Sequence, residues 1–218
     1  MLANTLVGAA LAVVVLSLLD EGKALRKSAK QRVLWRTVWS GMGLRHLWPA
    51  PLVLAVAGAV AYVLSSYVGG LMNWGWWSAV GGQGNVILGN NEQLFGVTGS
   101  QWVGRTMLLV VAVLMPNLVT WEERLFRRGI ERRTPLGRAA WALAFGLFHL
   151  VAGLPLYAAL ALAVLGVYCS HSYMRTFRAL AVMKGEAVAR RAAVLESTRA
   201  HLGFNTLGVL VAAVTLVG

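Results

Sequence analysis

Cysteine and acidic residues are both scarce in this sequence. A single cysteine, Cys169, excludes any disulfide within the chain. It lies inside an apolar run and reads as a small buried apolar residue. Asp and Glu together number 8, and all charged residues make up 13% of the chain. A soluble domain carries about 25% charged residues, so an ordinary water-soluble fold is excluded. No GxSxG elbow and no HExxH helix occurs, which leaves a serine or zincin hydrolase without local support. Residues 69–104 contain no Lys or Arg at all.

What is present is apolar surface and positive charge. Of the 218 residues, 58% are hydrophobic, and the formal net charge is +12. The basic residues sit between apolar runs and form no continuous face, which argues against nucleic acid as a partner. Six apolar runs stand out, at 2–19, 49–68, 107–121, 139–151, 155–168 and 202–217. At ~20 residues per span they predict an all-α polytopic membrane bundle of about six helices. Strands are excluded because the runs lack alternation, and unpaired backbone groups are too costly in hydrocarbon. Runs four and six are short, and Arg138 and Arg199 would snorkel at their ends. Run one has no basic leader and no cleavage pattern before Asp20, so it reads as a retained helix.

Nineteen of the 20 basic residues fall on alternate links, at 20–48, 122–138 and 172–200. The positive-inside rule then puts those links in the cytoplasm and both termini outside. A bacterial inner membrane is the expected location, with anionic lipid as a partner of the basic links. Link 69–104, rich in Trp and Gly, is expected to lie on the outer membrane surface. Residues 178–199 are expected to form an amphipathic surface helix through Leu180, Met183, Val188 and Leu195. Ser197 or Thr198 is expected to cap the sixth helix. The chain divides into an N-terminal two-helix region, 1–104, and a second bundle, 105–218.

Ionisable groups at membrane depth are functional hypotheses by default. Three clusters qualify. Glu122 and Glu123 are adjacent at the end of run three, and Glu123 can pair with Arg127 four residues on. That leaves Glu122 free for another task. His149 lies inside run four, after Phe145. His201 and Asn205, four apart, share one side of run six, and Gly203 between them allows close approach of a neighbour. Each cluster also has a structural reading: a solvated ion pair, a packing histidine, an interhelical hydrogen bond.

Glu122-Glu123-x-x-x-Arg127, then Phe145-x-x-x-His149, then His201-x-x-x-Asn205 resembles the CPBP family of CAAX proteases and bacteriocin-processing enzymes. These are intramembrane glutamate endopeptidases. The resemblance covers about residues 105–215. It implies that Glu122 activates water with help from His149, and that His201 and Asn205 stabilise the oxyanion. Glu123 and Arg127 would support the site, and Phe145 would pack near His149. It implies a membrane-associated protein or peptide as substrate and no cofactor. Arg128 departs from the pattern, standing where the family commonly has Gly, which here comes at Gly129. The basic link before His201 is also longer than in compact members.

Two other readings stay open at this point. Glu122, His149 and His201 are ordinary zinc ligands and could hold a catalytic metal. Alternatively the chain is a non-catalytic membrane scaffold or immunity-type protein, its polar groups joining helices. A small transporter lacks support, since no inverted repeat is visible.

Overall fold

The computed structural model describes residues 16–76 and 100–217, with side chains described for 16–76 and 110–211. Among the described residues every regular element is helical and no strand occurs. Helix α1 occupies 16–27, and α2 is Ala29–Ser40. Ser28 starts α2 by accepting the Gln31 N–H on its hydroxyl, satisfying one of the orphan donors of the first turn. The short α3, Leu44–Leu47, leads into α4, Ala50–Val63, which ends in a π turn over Leu64–Val68. Then come α5 (Ser100–Arg127), α6 (Pro135–Phe148), α7 (Leu156–Ala161), α8 (Ala163–Lys184) and α9 (Glu186–Val217).

Local chemistry sets these boundaries. Thr134 caps α6 by accepting the Gly137 N–H, and Pro135 occupies the first helical position, where its missing N–H is no loss. Gly129 at φ 91° and Gly185 at φ 76° end α5 and α8 in left-handed backbone that a side chain disfavours. Pro116 lies inside α5 and removes one rung of its ladder. Close to that gap the Val113 carbonyl accepts the indole N–H of Trp35 at 2.9 Å, which ties α2 to α5.

Three helical stretches are long and apolar enough to cross a membrane: Leu44–Val68, Pro135–Ala152 and Leu156–Lys184. They contain the second and fourth apolar runs and all but Pro155 of the fifth, so a membrane protein is supported by length and composition. Most of run one and nearly all of link 69–104 lie outside the described residues. Trp74 and Trp76, at the start of that link, do lie within them. The Leu156 N–H donates to the Trp74 carbonyl, and the Trp76 indole donates to the Leu150 carbonyl. Links two and four therefore meet at one end of the bundle. Links three and five meet at the other, where Arg190 pairs with Glu131.

The expected surface helix over 178–199 does not form as one element. Gly185 divides it, so Leu180 and Met183 belong to α8 while Val188 and Leu195 belong to α9. Those two helices pack along each other over Ala189, Ala193, Tyr173 and Phe177. Nor do Ser197 and Thr198 cap a helix, because α9 runs unbroken past them. The Thr198 hydroxyl instead donates to the Val194 carbonyl one turn back. Helices from both expected regions pack together, with α3 and α4 against α9 and α4 against α7 and α8.

Three apolar clusters hold the bundle. One joins Ala50, Val53, Phe126, Phe145, Leu165, Cys169 and Phe204. Another joins Val38, Met115, Val119 and Leu202, and the third is the α8–α9 seam with Ile130. Burial of such side chains contributes roughly 1.5–3 kcal/mol each where water is the reference. Gly203 faces α3 so closely that an added Cβ would overlap the His46 carbonyl oxygen. The small residue expected to admit a neighbour does so here.

Candidate functional site

The site is built on α5, α6 and α9. The last turns of α5 carry Glu122 and Glu123, which point in different directions because consecutive helical residues are about 100° apart. Glu123 faces inward and is fully buried, with 0% side-chain exposure. Glu122 is partly open, at 21%. Arg127, one turn beyond Glu123, is also fully buried, and its Nε lies 3.3 Å from Glu123 Oε2. The i, i+4 pair expected from the sequence is therefore present, in a desolvated setting.

His201 on α9 is buried between the two carboxylates. Its Nδ1 lies 3.0 Å from Glu123 Oε1, and its Nε2 lies 3.7 Å from Glu122 Oε2. The Glu123 carboxylate can only accept, so His201 Nδ1–H donates to it and Nε2 turns to Glu122. Ser197, one turn before His201, donates its hydroxyl to Glu123 Oε2. Glu123 thus gathers Arg127, Ser197 and His201 around one carboxylate.

Phe145 sits at the centre of the apolar wall. Its ring centroid is 5.0 Å from that of His149, 5.4 Å from that of His201 and 5.3 Å from that of Phe126. The Arg127 guanidinium lies over the same ring at 4.7 Å, a cation–π contact that helps hold a buried charge. The expected Phe145–His149 packing is present, and Phe145 also braces His201 and Arg127.

His149 stands at the C-terminal end of α6. Its Nδ1–H donates to the Phe145 carbonyl at 2.9 Å, which fixes the tautomer and leaves Nε2 with a lone pair. No ion pair joins His149 to Glu122 among the described residues. Asn205 lies one turn past His201 on α9 and is half-buried, and no hydrogen bond to it is formed among the described residues. The structure therefore brings Glu122, Glu123, Arg127, Phe145 and His201 together, places His149 against Phe145, and leaves Asn205 beside the group.

The metal alternative does not have the expected ligand set. Among the described residues, the donor atoms that come within 4.8 Å of one another belong to Glu123, Cys169 and His201, not to Glu122, His149 and His201. That set already holds Arg127 against its carboxylate, and a buried guanidinium repels a cation where the metal would sit.

One polar cluster escaped the sequence reading. Glu196, one turn before Ala200 and His201, is buried among cations from three helices. His46 Nε2 and Arg45 Nη2 lie 3.2 Å from its two oxygens, Arg199 Nη1 lies at 3.7 Å and Arg175 Nη2 at 3.9 Å. The Gly43 N–H donates to His46 Nδ1, and His46 Nε2 lies 3.3 Å from Arg45 Nε as well as facing Glu196. Comparison with protein-family models, with curated proteins and with solved structures gives no match.

Proposed function

We propose that the chain is an intramembrane endopeptidase of the CPBP type, hydrolysing a peptide bond in a membrane-associated protein through water activated by Glu122. The observation that carries this reading is His201 held between two carboxylates of different exposure. Glu123, paired with Arg127, orients His201 through its Nδ1. Protonated His201 then has an Nε2–H to offer a developing oxyanion, a contribution of ~3 kcal/mol for one such donor. His149, with its Nδ1–H committed to Phe145, offers the Nε2 lone pair as an acceptor for a water proton. Glu122 takes a proton from water, the hydroxide adds to the scissile carbonyl, and the proton passes to the departing amine nitrogen as the C–N bond breaks.

The reading includes a six-span topology with the basic links in the cytoplasm and the ends of the sequence on the other side. It is supported by the meeting of links two and four at one end and of links three and five at the other. In that arrangement the active site faces the cytoplasmic half of the bilayer.

The test uses the purified full chain in liposomes with lipid-anchored fluorogenic peptides. Glu122→Gln is expected to lower turnover by at least ~10²-fold with an unchanged unfolding profile. Full turnover in that variant eliminates the proposal. Turnover that survives a strong chelator separates glutamate-activated water from metal chemistry. A second reading, a scaffold without catalysis, is favoured by the Glu123–Arg127–Ser197–His201 network, which ties α5 to α9 whatever Glu122 does. It requires that Glu122→Gln leave the cellular phenotype intact.

A further inference from the structure

We propose that a cleft between α2, α5 and α9 binds the phosphate of an anionic lipid headgroup. The cleft has a volume of about 690 Å³ and is lined by Lys30, Arg124, Arg128, Arg190 and Arg191. That is far beyond the ~30 Å³ one water takes up, so a phosphodiester headgroup fits. No acid lines it.

Four of the five lining charges are uncompensated among the described residues. Arg190 pairs with Glu131 and Glu186. Lys30, Arg124, Arg128 and Arg191 have no carboxylate within ion-pair reach among the described residues. Arg124 lies on the last turn of α5 and Arg128 in the turn just past its end, so two like charges face the same cleft. Three helices and the turn after α5 thus hold four cations, unpaired among the described residues, around one concavity, an arrangement that an anion stabilises. Arginine forks also match phosphate oxygens in geometry.

Position favours a lipid over a free phosphate. The apolar run of α5 stops at Trp121, one turn before Arg124, and an indole at that place marks the headgroup level. Ala187 and Val194 give the cleft an apolar wall, which inorganic phosphate cannot use and glycerol or acyl carbons can. The cleft also abuts the candidate site along both of its long helices: Arg124 follows Glu123 on α5, and Val194 precedes Ser197 by one turn on α9. The inference rests on the membrane placement of the basic links, not on hydrolysis.

The experiment incorporates the full chain, carrying Glu122→Gln so that hydrolysis plays no part, into phosphatidylcholine nanodiscs with added phosphatidylglycerol. Bound lipid is counted by native mass spectrometry. Removing one cation near a lipid surface weakens binding about fivefold, so Arg128→Gln with Arg191→Gln is expected to lower affinity roughly 25-fold. Arg128→Lys with Arg191→Lys is expected to restore most of it. Wild-type occupancy in the double Gln variant overturns the proposal, as does an equal loss in Arg36→Gln with Arg178→Gln, two exposed arginines outside the lining. Displacement of the lipid by micromolar pyrophosphate assigns the site to a soluble phosphate and overturns the lipid assignment. Binding of an acidic peptide with no lipid bound overturns it as well.

Discussion

Removing either partner of the buried Glu123–Arg127 pair leaves a charge stranded away from water, and the two removals are not equivalent. Losing one partner of a buried pair costs about 3–5 kcal/mol. In Arg127→Met, Glu123 keeps His201 at 3.0 Å and the Ser197 hydroxyl, so the loss falls near the lower figure. In Glu123→Leu, Arg127 keeps the face of Phe145 and the Cys169 sulfur, and its Nη1 and Nη2 find no oxygen acceptor among the described residues. That loss falls near the upper figure. The double variant strands no charge and leaves only His201 and Ser197 short of a hydrogen bond, at about 2 kcal/mol. Additivity would give about 8 kcal/mol. Thermal unfolding of the full chain in detergent, followed by tryptophan fluorescence, separates the cases. Glu123→Leu is expected to lower the midpoint by on the order of 10 °C, with the double variant recovering more than half of that. A double variant as unstable as the sum of the singles refutes the reasoning, because the two charges would then act independently.

Other outcomes follow from single contacts. Gly203→Val drives carbon into the His46 carbonyl and is expected to destabilise by about 1–3 kcal/mol, whereas Gly208→Ala, which meets open space, is expected to be neutral or mildly stabilising in the same melt. Burial alone would raise the Glu131 carboxyl, but the Arg190 guanidinium and the Tyr173 hydroxyl outweigh it and hold it below its ordinary value of 4.5. Its folded value being depressed, Glu131 adds stability above pH 4.5 that is lost as pH falls through the lower folded value. Glu131→Gln is expected to flatten that acid limb, and a limb unchanged in the variant contradicts the assignment. Cys169 is fully buried, so introduced cysteines report without background. An impermeant thiol reagent applied to intact cells is expected to label Trp74→Cys and to reach Arg132→Cys only after permeabilisation, and the opposite pattern inverts the topology.

Runs two, four and five were legible because continuous apolar stretches of that length have one common solution in lipid, a helix. The pairing of Glu123 with Arg127 was legible for a similar reason, since four-residue spacing is a local property of one helix. Local spacing also misled. Leu180, Met183, Val188 and Leu195 fit a helical period only if the helix is continuous, and Gly185 interrupts it with a left-handed turn. The partners of Glu196 were illegible, because Arg45 is 151 residues away in sequence and only the packing of α3 on α9 joins them. Glu123 rather than Glu122 as the direct partner of His201 Nδ1 depends on which face of α5 meets α9, and that too is decided by packing.

Helix α9 has 32 residues and no break. At 1.5 Å per residue it is a rod of about 48 Å, against a hydrocarbon slab of ~30 Å. One end of the rod carries Arg190 and Arg191, and His201 stands near its middle. A rigid rod pivots as a unit, so a force applied at the wet end displaces the imidazole relative to Glu122. Gripping or releasing those arginines would act as a hand on a lever that carries the imidazole.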